Sequence, residues 1–116
     1  MQGSSEKLKE AVFLLNEGVR WGRLQDVLSH VDPDSQTHYI ESHKGVGSEL
    51  KITGYEVVST QLAPGADSAQ IGVKFTWYRI DRMEVHETVV LQRWQERNRI
   101  WLLVAEEHRS GVPLGL

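Results

Sequence analysis

Residues 69–78 read Ala69-Gln70-Ile71-Gly72-Val73-Lys74-Phe75-Thr76-Trp77-Tyr78, and this alternation decides the fold. Side chains on a strand repeat every two residues, so Ala69, Ile71, Val73, Phe75 and Trp77 share one face. Gln70, Gly72, Lys74, Thr76 and Tyr78 share the other, and the first face must be core. Around this strand, expected from Ser68 to Ile80, β-branched and aromatic residues crowd into Leu50 to Leu62, Val85 to Gln95 and Ile100 to Glu107. The breaks are short. Ala63-Pro64-Gly65-Ala66-Asp67 is a turn with a Pro-Gly signal, while Asp81-Arg82 and Arg97-Asn98 close tight hairpins. Four strands joined this way form an antiparallel meander, and Gly54 inside the first marks a bulge that bends it.

The register of the third strand follows from polarity. If Val73 faces Val89, then Val85, Glu87, Val89 and Leu91 join the apolar face, and His86, Thr88 and Gln92 join the polar one. A shift of one residue reverses every assignment. The first register is expected because it segregates polarity, and it carries Glu87 to the inner surface.

Upstream the period changes to helical. Leu8, Ala11, Val12, Leu15 and Val19 fall on one face of a helix that Ser4 or Ser5 can cap and Gly22 can end. Phe13, Leu14 and Trp21 form a second apolar stripe, so this helix should be wrapped on both sides. Leu24, Val27, Leu28 and Val31 mark a second helix stopping at Asp32-Pro33. A third begins there with Asp32 as N-cap, carries Tyr39 and Ile40, and ends before Gly45-Val46-Gly47. The fold class is therefore α+β.

The chain of 116 residues is 40% apolar and 25% charged and has no Cys. Those values describe one globular domain over residues 1–116, with a structured core from about 5 to 108. Disulfides and thiolate metal sites are excluded. Thirteen Lys and Arg against 16 Asp and Glu give a formal charge of −3, which disfavours nucleic-acid binding. No run reaches the ~18 apolar residues of a membrane helix, and the opening Met-Gln-Gly-Ser-Ser-Glu-Lys is no signal peptide.

Helices followed by a long bent meander with a Trp-containing last hairpin resemble the nuclear transport factor 2-like superfamily, over about residues 6 to 108. Within it, Val19-Arg20-Trp21-Gly22-Arg23, Val31-Asp32-Pro33, Leu50-Lys51-Ile52-Thr53-Gly54-Tyr55-Glu56-Val57, Gln92-Arg93-Trp94 and Ile100-Trp101-Leu102 are similar to small bacterial lipoproteins of that fold. The resemblance implies a cone in which a curved sheet wraps the N-terminal helix around a cavity. It also implies a periplasmic protein held by a lipid anchor, here removed, with Met1 added; a cytoplasmic protein is the alternative. The membrane enters only through that anchor.

Enzymes of this superfamily use the cone cavity for acid–base chemistry, so an inward carboxylate is the residue to seek. Glu87 is the candidate catalytic residue, with Glu106 as a cross-strand neighbour and Tyr55 or Tyr78 as donors. Its competing role is a strand-edge charge, or a partner for Arg20 or Arg23. The expected pocket comprises Phe13, Tyr39, Tyr55, Phe75, Trp77 and Glu87, with His38, Tyr39 and His43 at its mouth. A cone filled by Leu15, Phe13, Phe75 and Trp77 would remove the enzyme reading. None of His30, His38, His43, His86 and His108 is spaced to share a helix face, so no metal is expected, nor any other cofactor. Ser48, Ser59 and Ser68 lack a nucleophile elbow. Trp94 and Trp101 can oppose each other across the last hairpin as packing, or lie on the outer face as anchors of a homodimer formed through the sheet.

These readings converge on a non-enzymatic binding or assembly module of the bacterial envelope, with a small apolar ligand or a protein partner. The alternative is a small-molecule isomerase, lyase or hydrolase built on a cavity carboxylate, since fold alone does not decide activity.

Overall fold

The computed structural model describes residues 4–63, 65 and 67–114. Three helices precede a sheet: α1 (Ser4–Arg20), α2 (Leu24–Leu28) and α3 (Gln36–His43), with a 3-10 turn at Pro33–Ser35 leading into the third. The strands are β1 (Leu50–Leu62), β2 (Ser68–Arg79), β3 (Val85–Arg97) and β4 (Ile100–Gly111). They lie in sequence order as an antiparallel meander, and the sheet stays open. Register shifts at Ile52/Gly54 and Val57/Ser59 in β1, and at Arg109 and Val104 in β4, opposite Val89/Val90 and Arg93/Trp94 of β3, are where the strands bend. Gly54 thus sits at a bulge, as its place in the strand implied. Of the expected Ala63–Asp67 turn, Pro64 and Ala66 lie outside the described residues; the same is true of Met1 and of the Ser4 side chain named as a cap.

The alternating face of β2 forms the floor of the core: Ala69, Ile71, Val73, Phe75 and Trp77 are all buried. Leu8, Ala11, Val12, Leu15 and Val19 of α1 pack onto that core. Burying a side chain of this size contributes about 1.5–3 kcal/mol, so this one stripe holds the helix to the sheet. At the far end of α1, a Cβ on Gly18 would stand 2.6 Å from Val27 Cγ2, and the missing side chain lets α2 close against α1.

Three expectations are corrected. First, β3 pairs Val73 with Val90, one residue from the expected Val89. Thr88, Val90, Gln92 and Trp94 are buried, while Glu87 faces out, with its carboxylate 3.5 Å from Lys74 Nζ and its side chain 62% exposed. Burying a lone carboxylate costs far more than burying neutral side chains that find partners. Trp77 Nε1 donates to Thr88 Oγ1 at 2.8 Å, and Thr88 Oγ1 donates to the Val112 carbonyl.

Second, α1 is covered on one side only. Phe13 is 54% and Trp21 60% exposed. Trp21 is held at the surface by Nε1 donating to Glu17 Oε2 at 3.1 Å and by the Arg20 guanidinium 4.7 Å over its ring. Third, Asp32 does not cap the following turn with its side chain; its carboxylate reaches Arg97 Nη1 at 2.5 Å instead.

Candidate functional site

Asn16 lies on the buried face of α1, four residues after Val12 and three before Val19, and its Nδ2 donates to the Val12 carbonyl at 2.9 Å. From there a chain of polar side chains crosses the interior. Gln92 Nε2 donates to Asn16 Oδ1 at 2.9 Å and to Glu106 Oε2 at 2.8 Å, and Trp94 Nε1 donates to Gln92 Oε1 at 3.3 Å. Gln92 and Glu106 are cross-strand partners on β3 and β4. The other carboxylate oxygen, Oε1, lies 2.7 Å from His43 Nε2 on α3. His43 Nδ1 sits 2.9 Å from the Tyr39 carbonyl and 2.9 Å from Ser42 Oγ.

With a carboxylate at one ring nitrogen and a carbonyl at the other, both nitrogens of His43 act as donors, which is the arrangement of an imidazolium. Burial lowers its pKa, but the charge and hydrogen bond of Glu106 outweigh this and, with the Tyr39 carbonyl, raise it. The Tyr39 ring stacks on His43 with centroids 3.9 Å apart and planes 12° from parallel. Burial and the Glu106 charge push the Tyr39 phenol well above its ordinary range, so it stays neutral. Its hydroxyl is buried without a hydrogen-bond partner. Tyr39 borders two spaces: a cavity of about 80 Å³ with Val19, Leu24 and Val27, and a cleft of about 260 Å³ with Asp34, His38, Ser42 and Glu106.

A third space is different in character. Between the first half of α1 and the outer half of β1 runs a groove of about 340 Å³, lined by Leu8, Val12, Phe13, Tyr55, Val57, Leu62 and Ile71, with Ser5, Lys9 and Thr60. Phe13 and Tyr55 of the expected pocket meet here. Tyr55 is tilted on Phe75 at 6.3 Å, and its hydroxyl is raised by burial and by the Glu17 charge, against the opposing pull of Arg20.

The remaining expected pocket residues separate. Phe75 and Trp77 are fully buried and, with Leu15, fill the core, whereas Phe13 does not. Tyr39 joins His43 and Glu106, while Glu87 is on the outer face. Trp94 and Trp101 are both buried, so they are not anchors of an outer-face contact. They also do not sit directly opposite each other: Trp94 pairs with Leu103, and Trp101 with Glu96. Asn16 was not singled out by the sequence reading, and Gln92 was assigned with Thr88 to the polar face of its strand, whereas both are buried. Asn16 did carry a signal, since it occupies a position of the apolar stripe where only a satisfied polar group belongs. Among the described residues no cluster of three His, Cys, Asp or Glu side chains is disposed to hold a metal ion.

No protein-family profile matches the chain, and no curated protein sequence matches it. Solved structures do. The intermembrane-space region of chloroplast protein ARC6 superposes with a TM-score of 0.65 at 7% identity, over 95% of this chain and 99% of that one. A protein of unknown function with a cystatin-like fold from Nostoc punctiforme PCC 73102 superposes with a TM-score of 0.64 at 9% identity, over 95% and 92%. At such identities the likeness speaks for architecture alone. The chain adopts a cystatin-like α+β fold, with its four-stranded sheet left open.

Proposed function

We propose that the chain is a non-enzymatic binding module of the cell envelope whose groove between α1 and β1 receives a small aliphatic molecule with an anionic end. One observation carries this reading. The groove is lined chiefly by apolar side chains, and its volume falls in the range of ligand pockets. Lys9 supplies the charge: it lines the groove, is exposed, and makes no ion pair among the described residues. The extracytoplasmic setting draws support from the sequence likeness to lipoproteins and from a structural neighbour described as an intermembrane-space region.

The test is calorimetric titration with dodecanoate and with dodecanol. Dodecanoate should bind more tightly than the alcohol, and Lys9→Glu should remove that preference. Phe13→Asp, at an exposed position where the fold tolerates it, should weaken both about tenfold, equivalent to about 1.4 kcal/mol. Absence of binding to the unmodified chain overturns the reading.

A second reading, acid–base chemistry in the cleft between α3 and β4, is favoured by the unpartnered Tyr39 hydroxyl beside Glu106. It ranks below the first because His43 and Gln92 already engage both carboxylate oxygens.

A further inference from the structure

The two edges of the sheet are treated differently. Beside β4, Asp32 N donates to the Leu103 carbonyl and Leu103 N to the His30 carbonyl, both at 2.8 Å. Further along β4, α3 docks on it through His43 and Glu106. β1 is the other edge, and from Glu56 to Leu62 every residue is exposed. This stretch, Glu56-Val57-Val58-Ser59-Thr60-Gln61-Leu62, has one charge and neither Lys nor Pro. Edge strands that remain single are normally blunted by such residues or by bulges; this stretch lacks the former and carries one bulge, between Val57 and Ser59, and an edge without Lys or Pro can template a further strand.

Pairing with β2 fixes the faces of this edge. Tyr55, Val57, Thr60 and Leu62 lie opposite the inward Phe75, Val73, Ile71 and Ala69. Glu56, Ser59 and Gln61 lie opposite the outward Lys74, Gly72 and Gln70. Val58 is on the outer side too, since a Cβ on Gly72 would stand 3.3 Å from its Cγ2. We propose that two copies of this chain pair antiparallel along β1 with Tyr55 opposite Leu62 of the second copy, so that the second copy closes the open side of the groove.

In that register Glu56 opposes Gln61, Val57 opposes Thr60 and Val58 opposes Ser59. Inner residues meet inner residues along the whole stretch, and outer meet outer. No like charges face each other, and the Glu56 carboxylate meets an amide that can donate to it. A slip of one residue sets inner against outer. A slip of two fails as well, because the bulge between Val57 and Ser59 breaks the alternation. The occupant is therefore a second copy rather than an unrelated strand, because the stretch is complementary to itself. Pairing also sets Leu62 of the second copy opposite Tyr55 and its Val57 opposite Thr60, both on the side of the strand that lines the groove. The closure of the groove rests on the ligand reading above; the strand pairing does not.

Sedimentation velocity on the full chain, from low to high micromolar concentration, tests the pairing. A reversible dimer is expected. Gln61→Glu, on the exposed outer face, sets like charges opposite each other twice across the symmetry axis and should raise the dimer Kd about fivefold. Gln61→Lys should lower it by a similar factor, and Glu56→Lys combined with Gln61→Glu, which again sets opposite charges against each other twice, should lower it likewise. A chain that is monomeric at every concentration overturns the proposal, as does a dimer indifferent to the charge at position 61. A monomer that still binds dodecanoate overturns the pairing and keeps the groove reading. A dimer that responds to these charges without binding dodecanoate upholds the pairing and removes the ligand.

Discussion

His43 Nε2 and Glu106 Oε1 lie 2.7 Å apart with both side chains more than nine-tenths buried, and this contact joins α3 to β4. The raised pKa of His43 makes the contact pH-dependent. Below the ordinary histidine value of about 6.5 the imidazole is protonated in both folded and unfolded chains, and the stabilisation is fully present. Above it the folded chain holds a proton that the unfolded chain has released, so stability falls until the pH passes the folded pKa. Urea midpoints should therefore decline as pH rises from about 6.5. His43→Gln should flatten that decline. A midpoint that climbs over this range would contradict the assignment of an imidazolium.

Removing the other partner is a harsher change. Glu106→Gln leaves a buried imidazole without its counter-charge and gives Gln92 a neutral neighbour. Breaking a buried ion pair in this way costs about 3 kcal/mol. Chemical denaturation at pH 6 should show that loss, and the His43 pKa read from imidazole proton shifts should drop. A double-substitution cycle between Asn16→Ala and Gln92→Ala should return a coupling of about 1 kcal/mol, because the two amides are mutual partners. Strict additivity would mean that the two hydrogen bonds do not act as one unit.

How much of this was legible in the sequence differs from strand to strand. In β2 only one phase of the alternation is apolar, and its buried face was read correctly. In β3 both phases carry valines, so periodicity could not choose. The deciding facts are that a buried Glu87 would lack a partner, whereas Gln92 finds Asn16 and Glu106 from segments distant in sequence. Phe13 and Trp21 misled for a similar reason: a helical wheel shows which residues share a stripe but not whether protein covers it. Tyr39, His43 and Glu106 were each noted, yet only the tertiary arrangement brings α3 against β4.

The pair formed by Asp32 and Arg97 ties the turn before α3 to the end of β3. Asp32 is buried, while the guanidinium is half exposed and also donates to Gln95 Oε1 at 2.8 Å. Arg97→Ala strands the carboxylate, but solvent around the site holds the cost to about 1 kcal/mol. Arg97→Lys should recover only part of it, because a single ammonium cannot reproduce the fork that reaches both Asp32 and Gln95. Thermal melts of the two variants give the order, and a Lys variant as stable as the unmodified chain would show that the fork is dispensable.

Gly111 shows how a single backbone position secures the end of the sheet. It pairs with Thr88 at the last rung of β3 and β4, at φ +79, and a Cβ there would stand 2.2 Å from the Glu87 carbonyl oxygen. An alanine would meet both a left-handed backbone and a fixed backbone atom, so Gly111→Ala should cost about 2 kcal/mol. The next residue, Val112, accepts the Thr88 hydroxyl that in turn receives the Trp77 indole, so the displacement should reach the core as a changed Trp77 indole proton resonance. Gly54 is the matched control. It lies in a strand with nothing within 4 Å of a built Cβ and without a positive φ, so Gly54→Ala should be neutral or stabilise by about 0.5 kcal/mol. Equal losses at the two positions would mean that general strand flexibility, and not the contact with Glu87, selects glycine at 111.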